Sequence, residues 1–307
     1  MGIKMKVAFF SEIGENKRYE RDHANARTDV AWCIALDAPM CSLNVLPDEK
    51  FDLGIVIIPK KNPNVNLDFI RKCCDKVAVM QEGPHWFFQD YQVEWQFHYY
   101  NTLMKADWVY CHNESDLSYY RGLGCKDVRV MRSLMIPEGL EPSKEKSNGT
   151  MIGGNFVQWY GGFDSYVVAR SINHPMTAPS MGRKQEQEDL IEDITYLPYM
   201  NWRDWINMLG NFRIGVHLMR THAAGTFSMN CAFHGIPSIG YSGLDTQEIL
   251  HPNTTVEIGD LETAKMVIER LDTDKEYYEQ CSKESRERFE KYYSEKAWLK
   301  NWKEING

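Results

Sequence analysis

Residues Phe51–Pro59 read FDLGIVIIP, and apart from Asp52 the run offers no polar side chain to water. A strand with no polar face must be covered on both sides, as a central strand of a parallel sheet is, with helices above and below it. The flanking sequence keeps that alternation. Lys6–Phe10 reads as a strand and Arg27–Ala38 as a helix. Leu67–Cys74 is helical, Lys76–Met80 extended, and Tyr91–Lys105 a long aromatic helix. Trp108–Cys111, Glu114–Arg121 and Val128–Met131 continue as strand, helix and strand. Strand and helix repeated in this way predict a doubly wound parallel sheet.

The pattern breaks once. Pro137–Thr150 (PEGLEPSKEKSNGT) is rich in Pro, Gly and charge and reads as a linker. Alternation then restarts with Met151–Gly153, a helix near Ser165–Ser171, and Ile194–Leu197. It continues through a helix at Trp202–Leu209, then Ile214–Leu218 and Ser238–Tyr241, before helices at Leu261–Leu271 and Lys275–Ile305. The expected organisation is a first Rossmann-like domain over 1–136, the linker 137–150, a second such domain over 151–274, and a helical tail over 275–307. Two open sheets joined by a linker place a ligand cleft at their strand ends.

Composition removes several classes of function. The net charge is −8, and most of the deficit falls after residue 140, so the chain is not a bulk nucleic-acid binder. A local basic track in the first half stays open. No run of about 18 apolar residues is present to span a membrane. The N-terminal apolar stretch is too short for a signal peptide, and the expected location is the cytoplasm. The eight cysteines are scattered and include no Cys-x-x-Cys, which predicts free, buried thiols. The nine histidines include no His-x-x-x-His pair, and no metal site is expected.

The densest signal lies in Ile214–His251, IGVHLMRTHAAGTFSMNCAFHGIPSIGYSGLDTQEILH. A buried strand ends in a small-residue loop that opens a helix near Thr226. Gly235 and Pro237 stop that helix within a few turns. Backbone N–H groups at such a helix start, with its dipole, suit phosphate oxygens, and Arg220 at the loop entrance adds a cation.

Strand, loop, short helix and then Cys231-Ala-Phe-His-Gly-Ile-Pro-Ser-Ile-Gly resemble the donor-binding core of the retaining GT-B glycosyltransferases. The resemblance covers most of residues 150–290. It extends to Gly243-Leu-Asp-Thr-Gln-Glu, which stands where that family has a glycine–glutamate loop. His222 and Asn230 occupy the places of the family's two glutamates, which contact the donor sugar and the ribose. The resemblance implies a GT-B-like fold: two Rossmann-like α/β domains with a cleft between them and a helical tail. It implies transfer of a sugar from a nucleoside diphosphate, UDP first, with retention. No cofactor is required; a divalent cation is allowed beside the diphosphate without being implied.

On this reading the donor side holds Gly154, Asn155, Arg183, Lys184, Arg220, Gly225, Thr226, Phe227, Ser228, Asn230, Gln247 and Glu248. Glu82, His85 and His222 are the candidate catalytic groups. Glu12, Gly14, Arg27 and Asp29 are candidate acceptor contacts in the first domain. The aromatic stretch from Trp86 to Tyr100 is expected to be core. The motif also resembles compact phage-encoded glycosyltransferases, some of which modify hydroxymethylated bases in DNA. That acceptor needs a basic track, drawn from Lys60, Lys61, Arg71, Lys72, Arg121, Lys126, Arg129 and Arg132. A saccharide, lipid or small-molecule acceptor, a nucleotide-sugar epimerase, and a non-catalytic nucleotide-sugar-binding module remain open beside it.

Overall fold

Two six-stranded sheets, parallel throughout, organise the chain. The computed structural model describes residues 5–157, 159–179 and 186–307 and divides them into two units. One unit comprises Met1–Glu138 with Trp298–Gly307, the other Gly139–Ala297.

In the first unit the elements run β1 (Val7–Ser11), α1 (Thr28–Leu36), β2 (Met40–Ser42), β3 (Phe51–Ile57), α2 (Leu67–Ile70) and β4 (Cys74–Met80). They continue as α3 (Val93–Lys105), β5 (Trp108–Cys111), α4 (Leu117–Gly122) and β6 (Val128–Val130). The strand order is β2-β1-β3-β4-β5-β6. All five residues of β1 are buried, and so are all of β3 except Asp52. The doubly covered strand inferred from the apolar run is therefore present, third in the sheet. Winding reverses between β1 and β3.

The second unit holds β7 (Thr150–Ile152), α5 (Gly162–Ala169), β8 (Met176–Ala178), β9 (Ile194–Tyr196), α6 (Trp202–Leu209) and β10 (Ile214–His217). After them come α7 (Thr226–Phe233), β11 (Ser238–Tyr241), α8 (Asp245–Leu250), β12 (Thr255–Val256), α9 (Leu261–Thr273) and α10 (Lys275–Tyr292). Its order, β12-β11-β10-β7-β8-β9, reverses between β7 and β10. Asparagine or aspartate caps several helices: Asn201 accepts Asp204 N, Asp260 accepts Thr263 N, and Asp274 accepts Tyr277 N.

Four local readings change. Met40–Ser42 and Met176–Ala178 are short strands that carry too few residues for a period to register. The helix expected over Leu67–Cys74 is a single turn, because Cys74 already pairs with Phe51 in the sheet. The long last helix breaks at Tyr293-Ser294, where Ser294 Oγ accepts the Ala297 N–H, and a new helix, α11 (Glu295–Asn306), begins. From Trp298 onward α11 belongs to the first unit, where the Trp298 indole N–H donates to the Arg132 carbonyl at 2.8 Å. The expected separate tail is thus divided between the units.

The aromatic stretch is only partly core. Phe88 and Tyr99 are buried, whereas Val93, Phe97 and Tyr100 line an exposed side of α3. All eight cysteines are buried free thiols. Among the described residues, no helix is long and apolar enough to cross a membrane.

Candidate functional site

In an open α/β sheet the crevice beyond the carboxyl ends of the strands flanking the winding reversal is the place where ligands bind. In the second unit those strands are β7 and β10. β7 runs out through Gly153-Gly154-Asn155, and β10 ends on His217. A Cβ on Gly153 would lie 2.7 Å from His217 Cβ, and one on Gly154 would lie 2.2 Å from the Tyr160 carbonyl oxygen. Only residues without side chains let the chain pass so closely.

The buried His217 ring has the Tyr160 backbone as its polar neighbour, and both amide atoms of the buried Asn155 lack hydrogen-bond partners. Such groups pair with water or ligand, because leaving them unpaired costs about 1–3 kcal/mol. Burial pulls the His217 imidazole down to about pH 4, so near neutrality it offers a lone pair and an N–H but no charge. Phe227 packs edge-on against this ring, with centroids 5.2 Å apart.

The loop from β10 to α7 closes over the same edge. Gly225 stands at φ 61°, before an α7 start that no side chain caps. Thr226 and Phe227 therefore begin the helix with N–H groups available to an anion. A Cβ on Gly225 would lie 2.0 Å from Thr246 Oγ1, a buried hydroxyl without a hydrogen-bond partner. The His222 ring packs in the same way on Gly243, whose φ is 100°. These two contacts interlock the β10–α7 and β11–α8 loops. Arg220 leaves the first of them and bonds Asp164 Oδ2 through Nη2 at 2.9 Å, and Asp164 also accepts the Tyr241 hydroxyl at 2.8 Å. The guanidinium is thus held in place while 56% of the side chain stays exposed.

Other expected donor contacts turn inward. Ser228 Oγ donates to Gln247 Oε1 at 2.7 Å, and Gln247 Nε2 donates to the Ser238 carbonyl at 2.8 Å. Asn230 Oδ1 accepts the Trp202 indole N–H at 3.4 Å. These three side chains tie α7 to α8 and α6. α7 is buried on nearly every face, so its polar residues find partners within the core. Glu248 is exposed and accepts the Gly243 N–H at 2.8 Å. Arg183 and Lys184 lie outside the described residues.

In the first unit, polar residues also gather at the carboxyl edge. Ser11 closes β1, Gln81 follows β4 and His112 follows β5; all three are buried, the side-chain polar atoms of Ser11 and Gln81 lack hydrogen-bond partners, and the His112 ring faces the Glu82 backbone. Burial lowers the His112 pKa, and the Glu82 and Asp116 carboxylates pull it partly back. Burial first, and Glu82 second, raise that of Asp29 at the start of α1. Glu82 faces Lys60 Nζ at 3.3 Å, which competes for the lone pairs a base would use. His85 Nδ1 lies 3.2 Å from Asp116 Oδ1, and its ring lies 4.1 Å from that of Tyr119.

Glu12 is exposed, and Gly14 is required by close approach, since its Cβ would lie 1.9 Å from the Cys41 carbonyl oxygen. Arg27 bridges to Met135 through its backbone. The basic track shrinks as well: Arg71 bonds Asp107 at 2.6 Å, and Arg129 bonds Asp127 and Asn306. Sequence reasoning passed over His217, Asp164, Thr246, Gln81, His112 and Asp116. The one local signal was a histidine closing an apolar strand, in Ile214-Gly-Val-His217.

No protein-family model and no curated protein matches the sequence. Solved structures do match. An alpha-glucosyltransferase in complex with UDP and a 13-mer DNA containing an HMU base is 11% identical with a TM-score of 0.62, over 99% of both chains. Anabaena HepE in complex with UDP-glucose is 9% identical with a TM-score of 0.67, over 98% of both chains. TarM is 12% identical with a TM-score of 0.66, over 85% of this chain and 56% of its own. At such identities the likeness concerns the fold, two parallel-sheet domains of the GT-B type.

Proposed function

For a chain with the GT-B fold, we propose transfer of a sugar from a nucleoside diphosphate, UDP first, to an acceptor hydroxyl. The observation that carries this is the convergence at the second switch point. Two glycine turns, the open start of α7, the buried His217 ring and the orphan polar groups of Asn155 and Thr246 meet there. The α7 amides take the diphosphate, Arg220 flanks it, and both act on the negative charge that grows as the nucleotide leaves. In the first domain Glu82 and His85 are the candidates for contact with the acceptor hydroxyl. Retention at the anomeric carbon belongs to this reading. So does a cytoplasmic location.

The leading acceptor is a hydroxymethylated base in DNA. The support is full-length likeness to a structure holding DNA with an HMU base. Exposed Lys61, Arg121 and Lys126 remain for phosphate contact, in place of Arg71 and Arg129.

Labelled UDP-sugar, offered with modified and unmodified DNA, tests both levels. Label should enter hydroxymethylated DNA alone, because that hydroxyl is the only added nucleophile, and the anomeric configuration of the product reads retention. Transfer should weaken as salt rises. Arg220→Ala should weaken donor binding at least tenfold, as expected for a lost contact of about 1.5–3 kcal/mol. It should lower the melting temperature only modestly, since Arg220 is more than half exposed and the buried Asp164 keeps its Tyr241 hydrogen bond. Donor turnover without labelled DNA ends the DNA reading alone. Failure of every common nucleotide to bind or stabilise the protein ends the transferase reading.

A further inference from the structure

We propose that the outer side of α3 binds a second copy of this chain, the two α3 helices packing antiparallel about a two-fold axis. Val93, Phe97 and Tyr100 stand at i, i+4 and i+7, so they form one stripe along the helix. Val93 is 66% and Phe97 61% exposed, and Tyr100 is exposed beside them. A surface helix ordinarily turns polar residues outward, and an apolar patch rimmed by polar ones marks an interaction surface. The inner side of α3 already holds its core contacts. Tyr99 and Leu103 are buried, the Tyr99 hydroxyl donates to that of Tyr120 at 3.2 Å, and Thr102 Oγ1 donates to the Pro63 carbonyl at 2.7 Å. Gln96 Nε2 donates to the Tyr91 carbonyl at 2.9 Å, and Tyr91 stacks on Trp95 with centroids 5.3 Å apart. The stripe is thus carried on a helix anchored at its start and along its inner side.

Charge at the rim selects the partner. Glu94 lies in the first turn of α3 and Lys105 in the last, and both are exposed. Lys105 follows Glu94 by about three turns, so the two stand on one flank of the stripe, about 17 Å apart. An antiparallel copy brings Glu94 of each chain to Lys105 of the other and opposes the two helix dipoles. A parallel copy would set Glu94 on Glu94 and Lys105 on Lys105. His98 Nε2, 3.2 Å from Glu94 Oε1, leaves the second carboxylate oxygen to the lysine. In the antiparallel register Phe97 falls against Tyr100, Asn101 and Met104 of the second copy, so apolar packing and both ion pairs are met together. A lipid surface fits less well, because the helix carries one lysine and would bring Glu94 to the apolar boundary.

Sedimentation equilibrium of the full chain, from micromolar to hundreds of micromolar, reads the association. Wild type should pass from monomer to dimer and no further, since a two-fold contact closes on itself. Phe97→Glu should weaken the dimer by about 100-fold or more, because each copy would bury an unpaired carboxylate. Its monomer should fold as wild type does, since Phe97 is exposed; if it does not, Val93→Glu makes the same test on the same stripe. Lys105→Glu should weaken the dimer by about tenfold, with two exposed ion pairs lost at once. Glu94→Lys combined with Lys105→Glu should restore wild-type affinity, an outcome that the antiparallel register alone gives. A wild-type chain that stays monomeric throughout overturns the proposal. So does a dimer that Phe97→Glu leaves intact, or a charge swap that fails to recover the loss. Monomeric protein sedimenting with vesicles of phosphatidylcholine and phosphatidylserine overturns it as well, and assigns the stripe to a lipid surface.

Discussion

Gly225 and Thr246 meet so closely that no side chain fits between them. The Gly225 backbone is left-handed at φ 61°, and an added Cβ would stand 2.0 Å from Thr246 Oγ1. Gly225→Ala therefore carries two penalties, a left-handed alanine at about 1–2 kcal/mol and a clash. Its unfolding free energy should drop by more than the conformational part alone. Thr246→Ala in the same chain removes the offending oxygen and should recover the steric part only. Denaturant titration of the four proteins of this cycle measures the coupling; purely additive losses would show that the two loops are not interlocked here. The same reasoning gives His222 a place on Gly243, whatever it does toward a sugar.

At the scale of elements, the segment before β7 and the helix after α10 decide where the second domain can be cut. Ser143 N donates to His234 Nδ1 at 3.0 Å, and Lys146 Nζ to the His234 carbonyl at 2.8 Å. Residues read as a loose linker therefore hold the end of α7. Trp298 and Trp302, in contrast, stack on each other and are buried within the first unit. A fragment of residues 139–297 should melt higher than one of residues 150–307. The longer tail of the latter exposes two tryptophans, and its shorter start strips the partners of His234. A thermal melt of both fragments decides it, and equal stability would show that these contacts contribute nothing.

For the molecule as a whole, stability should depend on pH through three histidines of the second domain. Burial pulls His217, His234 and His251 from 6.5 to about 4. Between those values the unfolded chain binds protons that the native one refuses, so stability is complete above about pH 6.5 and declines as pH falls toward 4. Each ring contributes a loss of about 3 kcal/mol by pH 4, and three together compare with the whole stability of a domain. The melting temperature should fall steeply across this window. His251→Gln, which removes a ring bonding the Ser228 carbonyl and the Ser238 amide, should flatten the slope even as it lowers stability at pH 7. A melting temperature constant from pH 7 to 4 would count against the buried, neutral histidines.

The sequence by itself determined the layers. FDLGIVIIP demanded cover on both faces, the alternation demanded parallel sheets, and the Pro- and Gly-rich break separated the two rounds; these are local patterns that each segment carries alone. It also marked the small-residue loop before α7, because Gly225, Gly235 and Pro237 act on their own backbone. Only the tertiary structure decided which polar side chains face the strand ends. Ser228, Asn230 and Gln247 bond partners 19, 28 and 9 residues away, which their own stretch of sequence does not announce. His217 looks ordinary in sequence, but the winding reversal between β7 and β10 sets the strand it ends beside the one that leads into Asn155. Strand order and close approach are fixed by residues distant in the chain, so no window of sequence holds them.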